Sequence, residues 1–216
     1  MKQIVLFILL AVVMVVSTNA QIAKGSIWLG GSIGYSENKT DYNDGYPDYK
    51  KTNLTVTPAI GKAIKENLVA GIDLTYNNYR EQNYSGGTYY TTKQNTYGAG
   101  FFLRRYLPIV KNLYVYGQGR LGFDYSKNNQ TPASTYGLNS KGWSTDLTFY
   151  PGVSYAINKK LQLETGFNNL FQVQYSKTKN DDAPGSPKSH SFAAGINLEN
   201  KAQFFLGFRF LLNKQA

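Results

Sequence analysis

The chain of 216 residues holds few side chains suited to covalent chemistry. It has no cysteine and a single histidine, His190, so it can build neither a thiolate nucleophile nor a Cys/His transition-metal site. His190 stands between Ser189 and Ser191, and a His–Ser pair is a common way to activate a hydroxyl. In a strand, however, adjacent side chains point to opposite faces, so His190 cannot readily activate either serine. Asp181-Asp182 and the acids between Asp41 and Asp48 would bind calcium weakly, and acids spaced this way along loops are ordinarily solvated. The glycines follow strand parity and form no phosphate-cradling loop. No catalytic residue, metal or cofactor is therefore assigned. What remains is a set of ionisable residues, Asp73, Arg104, Arg120, Asp124, Asp146, Glu164 and Arg209, each set in a run of alternating large apolar residues. Their chemistry is electrostatic: they can pair with one another, or line a path for ions.

The elements that position them read as strands. After residue 20 no long stretch carries a 3.6-residue apolar period, whereas a period of two recurs throughout. Strands are predicted at about Gly25–Tyr35, Thr52–Lys62, Leu68–Tyr79, Asn95–Leu107, Leu113–Ser126, Trp143–Ala156 and Leu161–Ser176, with a last one inside Ser189–Leu212. One parity carries Ile72 and Leu74, Phe101 and Leu103, Leu121 and Phe123, and Phe204, Leu206, Phe208 and Phe210; the other carries the charges. Apolar groups outside and charges inside reverse the pattern of a soluble barrel and call for a lipid exterior. The connections alternate strictly between short turns, near residues 65–67, 108–112 and 158–160, and long polar stretches, 36–51, 80–94, 127–142 and 177–188. The expected fold is all-β: a transmembrane up-and-down antiparallel β-barrel of eight strands, with periplasmic turns and surface loops. Glu199–Lys201 interrupts the last strand and reads as a bulge, because an even strand count puts both ends on the periplasmic side. The other reading is a turn that adds a strand. Bulges are also expected at Pro58 and Pro151, since central strands avoid proline.

Two further features fit a membrane. Tyr35, Tyr76, Tyr97, Tyr125, Trp143 and Tyr175 share the outward parity at the long-loop ends of their strands, where amphipathic rings form an interface girdle. Lys2, the apolar run Ile4–Val16 and the small residues up to Ala20 form a secretory signal peptide. The run is shorter than the roughly 20 residues of a spanning helix. Residues 1–20 are thus expected to be removed, leaving 21–216 as one barrel domain in the cell outer membrane. The formal charge of +10 does not indicate nucleic acid, because the lysines are scattered and the chain is exported. It suits a solvated surface facing anionic lipid headgroups or sugars.

Counted from the turns, Asp73 and Arg104 lie low on neighbouring strands, as do Glu164 and Arg209, so a salt-bridged plug is expected in the lumen. A narrow ion path lined by these charges is the alternative. Trp28, an inward exception on the first strand, is placed to plug the lower lumen. The long connections are rich in Tyr, Asn, Ser, Thr and Gly, a composition suited to recognising an extracellular ligand.

Pro58-Ala59-Ile60-Gly61 leads through a short turn to Leu68, and Pro151-Gly152-Val153-Ser154 leads through a turn of the same length to Leu161. These hairpins, the signal peptide and the aromatic terminal strand resemble the small outer-membrane β-barrel family of Gram-negative bacteria, the OmpA/OmpX-like eight-stranded domains. The resemblance covers the whole mature chain. It implies an outer-membrane location and no single activity. It also implies that Phe204, Leu206, Phe208 and Phe210 are read by the barrel-assembly machinery. The expected function is non-enzymatic: a monomeric barrel in outer-membrane lipid with a structural or adhesion-like role and a mostly closed lumen. A small porin-like channel is the alternative, and a lipid-A-modifying enzyme a more distant one.

Overall fold

Alternation of Val, Ile, Leu, Phe and Tyr against Gly, Ser, Thr and Asn suits strands with two different faces, and the fold is built from such strands. The computed structural model describes residues 22–40, 49–85, 88–131, 139–167, 170–181, 187–196 and 204–212, with the backbone alone at Ser85 and Phe204. The expected signal peptide at residues 1–20, Asp41–Asp48, Asp182 and Glu199–Lys201 lie outside the described residues. The strands are β1 (Ile27–Thr40), β2 (Tyr49–Lys65), β3 (Leu68–Ser85), β4 (Thr88–Val110), β5 (Leu113–Thr131), β6 (Ser140–Ala156), β7 (Leu161–Phe167), β8 (Phe171–Asn180), β9 (Lys188–Ile196) and β10 (Phe204–Leu212).

All pairings are antiparallel, and the ring β1-β2-β3-β4-β5-β6-β7-β10 returns to β1. The barrel therefore has eight strand courses. β6 pairs with β7 through Gly152–Ala156 and with β8 through Ser140–Phe149, so β7 and β8 are the lower and upper parts of one course. β9 pairs with β8, and β10 with β7. Both run antiparallel to that course, so the chain keeps one direction through β9 and β10. A turn adding a strand would have reversed it.

Among the described residues, closure is complete only in the half nearest the short turns. β10 pairs with β1 over Ile27–Ile33. Above that level, among the described residues, β1 pairs with β2 alone and β9 with β8 alone. Gly30 sits at the closing seam, where a Cβ would collide with the Phe208 carbonyl and the Arg209 side chain.

The strands run further than the alternation of apolar residues indicates. β4 begins at Thr88 rather than near Asn95, and β3 and β5 reach Ser85 and Thr131. The stretch predicted as a long loop at 80–94 is largely strand, and so are residues 127–131 and 140–142 of the stretch predicted at 127–142. Both faces there contact water, so Thr, Tyr, Asn and Gln alternate with one another and leave no hydropathy signal, although Thr and Tyr favour strands. The apolar belt on β4 runs from Leu107 to Tyr97, about 11 residues, close to what a tilted strand needs to cross a bilayer. The rest projects beyond it.

Pro58 carries no bulge of its own strand. Gly31 pairs with Pro58 in unbroken register, and the ladder from β2 to β3 skips Thr57 and Pro58 without shifting. Pro151 faces Gly117 in register; the irregularity lies on the other side, between β7 and β8. In both places the ladder omits pairs where proline has no N–H to offer.

Candidate functional site: the charged lumen

Parity decides what enters the lumen. On β10 the inward positions are Phe205, Gly207, Arg209 and Leu211, all buried, while Leu206, Phe208 and Phe210 are exposed on the outer wall. The Phe204 side chain lies outside the described residues. On β4 Arg104 is buried and its neighbour Arg105 is exposed, reaching the Glu66 carbonyl in the short turn at 3.2 Å.

The base of the lumen is apolar. Ile22 is buried beneath the barrel, where its N–H donates to Asn67 Oδ1 at 3.0 Å and its carbonyl accepts from the Asn67 N–H at 3.0 Å. Asn67 adopts a left-handed conformation with φ 57°, which a short turn requires and asparagine tolerates. Ala63, Val69, Tyr114 and Leu211 join Ile22 in the buried core.

Above this base lies the first charged cluster. Glu164 is 1 % exposed. Its Oε2 accepts from Arg104 Nη1 at 2.6 Å and lies 2.9 Å from Arg209 Nε, while its Oε1 accepts from the Tyr106 hydroxyl at 2.7 Å. Arg104 also donates to Tyr106 Oη at 3.0 Å and to Gln118 Oε1 at 2.6 Å. Gln118 donates onward to the Tyr150 hydroxyl. Trp28 Nε1 donates to Tyr106 Oη at 2.9 Å. Both guanidinium groups lie over the Trp28 ring, Arg104 at 4.9 Å and Arg209 at 4.6 Å from its centre, and Tyr116 faces Arg104 at 4.2 Å. Two arginines against one carboxylate leave this layer formally positive. Desolvated cation–π contacts of about 2 kcal/mol each help to offset that excess.

The second cluster lies nearer the long-loop end and has the opposite balance. Arg120 Nε donates to both Asp73 oxygens at 2.9 and 3.0 Å, and its Nη1 lies 3.3 Å from Asp146. Asp124 adjoins Asp146 within the field of the same guanidinium. Three carboxylates thus share one arginine. Gly100 and Gly122 give that arginine its room, since a Cβ at Gly122 would collide with Arg120 and Asp146.

The predicted pairing of Asp73 with Arg104 does not form. In register Asp73 faces Gly100, and Arg104 faces Val69, nearer the turn. The ladder separates them along the barrel, and Asp73 meets Arg120 from two strands away instead. Glu164 and Arg209 do meet. Tyr106, Gln118 and Tyr150 complete the cluster without being identifiable as site residues from their types alone. Tyr106 has the parity of Arg104, and that shared parity is the signal that points to it.

Between the clusters lies a cavity of about 20 Å³ lined by Trp28, Asp73, Phe102, Arg104, Tyr150 and Arg209, among others. That is room for one or two waters.

On the outer wall, Tyr76, Tyr97, Tyr125 and Trp143 face one another directly across four strands. Tyr35 and Tyr175 are also exposed, each displaced along its strand from that row. His190 is on this wall too, remote from the lumen, with Nδ1 2.8 Å from the Tyr175 hydroxyl. No group of three acidic, histidine or cysteine side chains among the described residues is spaced to hold a metal ion.

The family model for the outer membrane protein β-barrel domain matches residues 6–199. Among solved structures, the chain is similar to the outer membrane protein OprG from Pseudomonas aeruginosa, with 13% identity, a TM-score of 0.43, and coverage of 89% of this chain and 98% of that one. Neisserial surface protein A gives 14% identity, a TM-score of 0.40, and coverage of 87% and 97%. A major outer membrane protein from Thermus thermophilus gives 12% identity, a TM-score of 0.40, and coverage of 87% and 99%. No curated protein matches the chain. The inside-out placement of charge and the closed ring agree with the family match, and the chain belongs to the outer-membrane β-barrel protein family.

Proposed function

We propose that this outer-membrane barrel is a monomeric, non-enzymatic protein with a closed lumen, serving as a structural and surface-interaction element rather than a channel. The observation that carries this reading is the Glu164 cluster. Its two arginines, Tyr106, Gln118 and Trp28 meet inside the fully closed half of the barrel, and the free space beside them has the volume of one or two waters. A conducting pore needs a continuous wet path with sites that ions can leave; here the charges are bound to each other. The part of the molecule available to a partner is the extension above the membrane, where Tyr84 and Tyr89 form an exposed edge-to-face pair at 5.0 Å. Rigid aromatic surface of this kind gives contact area at low entropy cost. The outer face of β10, with Leu206, Phe208 and Phe210, is the surface assigned to the barrel-assembly machinery.

Proteoliposomes holding the purified full chain, challenged with small sugars and salts, test the closed reading. Swelling indistinguishable from empty liposomes is the expected result. Swelling that scales with the amount of protein would overturn it.

A further inference from the structure

The outer wall carries a charge pattern that neither the lumen nor the apolar belt explains. Lys127 on β5 faces Lys141 on β6, Lys141 faces Lys179 on β8, and Lys179 faces Lys188 on β9. All four have the outward parity of Tyr125, Trp143, Tyr175 and Phe192. They form one cross-strand row spanning about 14 Å at ordinary strand spacing. Like charges directly opposite one another destabilise a sheet, so an isolated row of this kind has a cost. One described carboxylate faces it: Asp181 lies 3.0 Å from Lys141 and 3.6 Å from Lys179. Lys177, beside Trp143 in register, adds a fifth cation.

The position of the row is as telling as its charge. One step toward the membrane on each strand lie Tyr125, Trp143, Lys177 and His190, and an aromatic chain runs obliquely there: Phe123 to Trp143 at 6.2 Å, Trp143 to Tyr175 at 5.6 Å, Tyr175 to His190 at 6.3 Å. Below that, Leu121, Leu147 and Val173 continue the apolar wall. Acyl chains, an aromatic interface and then a line of ammonium groups is the order in which a lipid with anionic headgroups presents its parts.

We propose that this face of β5, β6, β8 and β9 binds a phosphate-bearing lipid of the outer leaflet, with headgroup phosphates bridging the lysine row and acyl chains lying on the wall below. A phosphate carries up to two negative charges and several acceptor oxygens. One phosphate between two facing lysines therefore replaces their repulsion with two charge-assisted hydrogen bonds. The proposal goes beyond the closed lumen and stands whether or not the lumen conducts.

The test uses native mass spectrometry of the full chain in detergent, offered lipid A with its two phosphates, or the same lipid enzymatically dephosphorylated. Preferential retention of the phosphorylated form is expected. In the Lys127→Gln/Lys141→Gln/Lys188→Gln variant the preference should fall about five-fold for each lysine removed. The control variant Lys159→Gln/Lys160→Gln, in the short turn at the far end, should keep it. Heat-modifiable migration of each variant establishes that the barrel has folded. Inorganic phosphate is added as a competitor. Equal retention of the two lipids, an undiminished preference in the triple variant, or complete displacement by inorganic phosphate would each overturn the proposal, the last by assigning the row to a free ion.

Discussion

Glu164 is the residue on which the lower lumen depends. It meets Arg104, Arg209 and Tyr106 at 2.6 to 2.9 Å and is almost wholly shielded from solvent. Removing one partner of a buried pair leaves the other charge uncompensated, a loss of about 3–5 kcal/mol, and here two guanidinium groups would be stranded. Glu164→Ala should therefore lower stability by at least that amount, read as a shift of the urea midpoint in detergent. A change under about 1 kcal/mol, the range of an exposed pair, would mean that water enters the cluster freely. In the extension, Glu81 accepts from Tyr79, from Tyr49 at 3.2 Å and from Asn83 at 3.0 Å. The Tyr79 hydrogen bond is the main cause holding its carboxyl below the usual range. A depressed carboxylate contributes stability above its unfolded pKa and loses it as pH falls through the folded one. Tyrosine circular dichroism should therefore change as pH falls below the ordinary glutamate pKa of about 4.3, and this change should vanish in Glu81→Gln. The same transition in wild type and variant would contradict the assignment. At this scale the sequence identified which residues are inward and that Glu164 meets Arg209, but not the partner of Asp73. Parity assigns a face, whereas the partner of Asp73 depends on register, which set Arg120 rather than Arg104 beside it.

The last strand course shows how far an element can be read from its residues. Phe208 and Phe210 announce a lipid-facing strand, and β10 pairs on both sides, with β1 and with β7. β9 carries the same parity yet pairs on one side only, among the described residues. An edge with one ladder opens at lower free energy than a strand with two. Amides of Ser191–Ile196 should thus exchange faster than those of Leu206–Phe210; equal protection would mean that the seam above Ile33 is closed. For assembly, Phe208→Ser/Phe210→Ser should deplete the barrel from the outer membrane, whereas Tyr84→Ser/Tyr89→Ser in the extension should leave its yield unchanged. Normal insertion of the first variant would remove these rings from the assembly signal. The extensions themselves were not legible as strands, because their two faces are equally polar; cross-strand pairs such as Asn78 with Asn95, at 2.7 Å, help to hold them.

At the scale of the molecule, the apolar-out, charge-in pattern was readable because a bilayer imposes it on every strand, and it gave the barrel and its strand courses. A plug of paired charges was expected from the sequence, but which side chains span the lumen was not readable, since that depends on how far they reach across the barrel from strands far apart in sequence: Trp28 to Tyr106, Arg104 to Glu164. Occlusion of the lumen is the property on which the proposed role depends, and single-channel recording of the full chain in planar bilayers addresses it directly. Wild-type protein should give no steady conductance. Arg104→Ala/Glu164→Ala/Arg209→Ala, which removes the cross-lumen cluster with only one net charge lost, should give measurable current if it remains folded by heat-modifiable migration. Steady ohmic current from the wild type, altered by Glu164→Gln, would contradict the closed lumen.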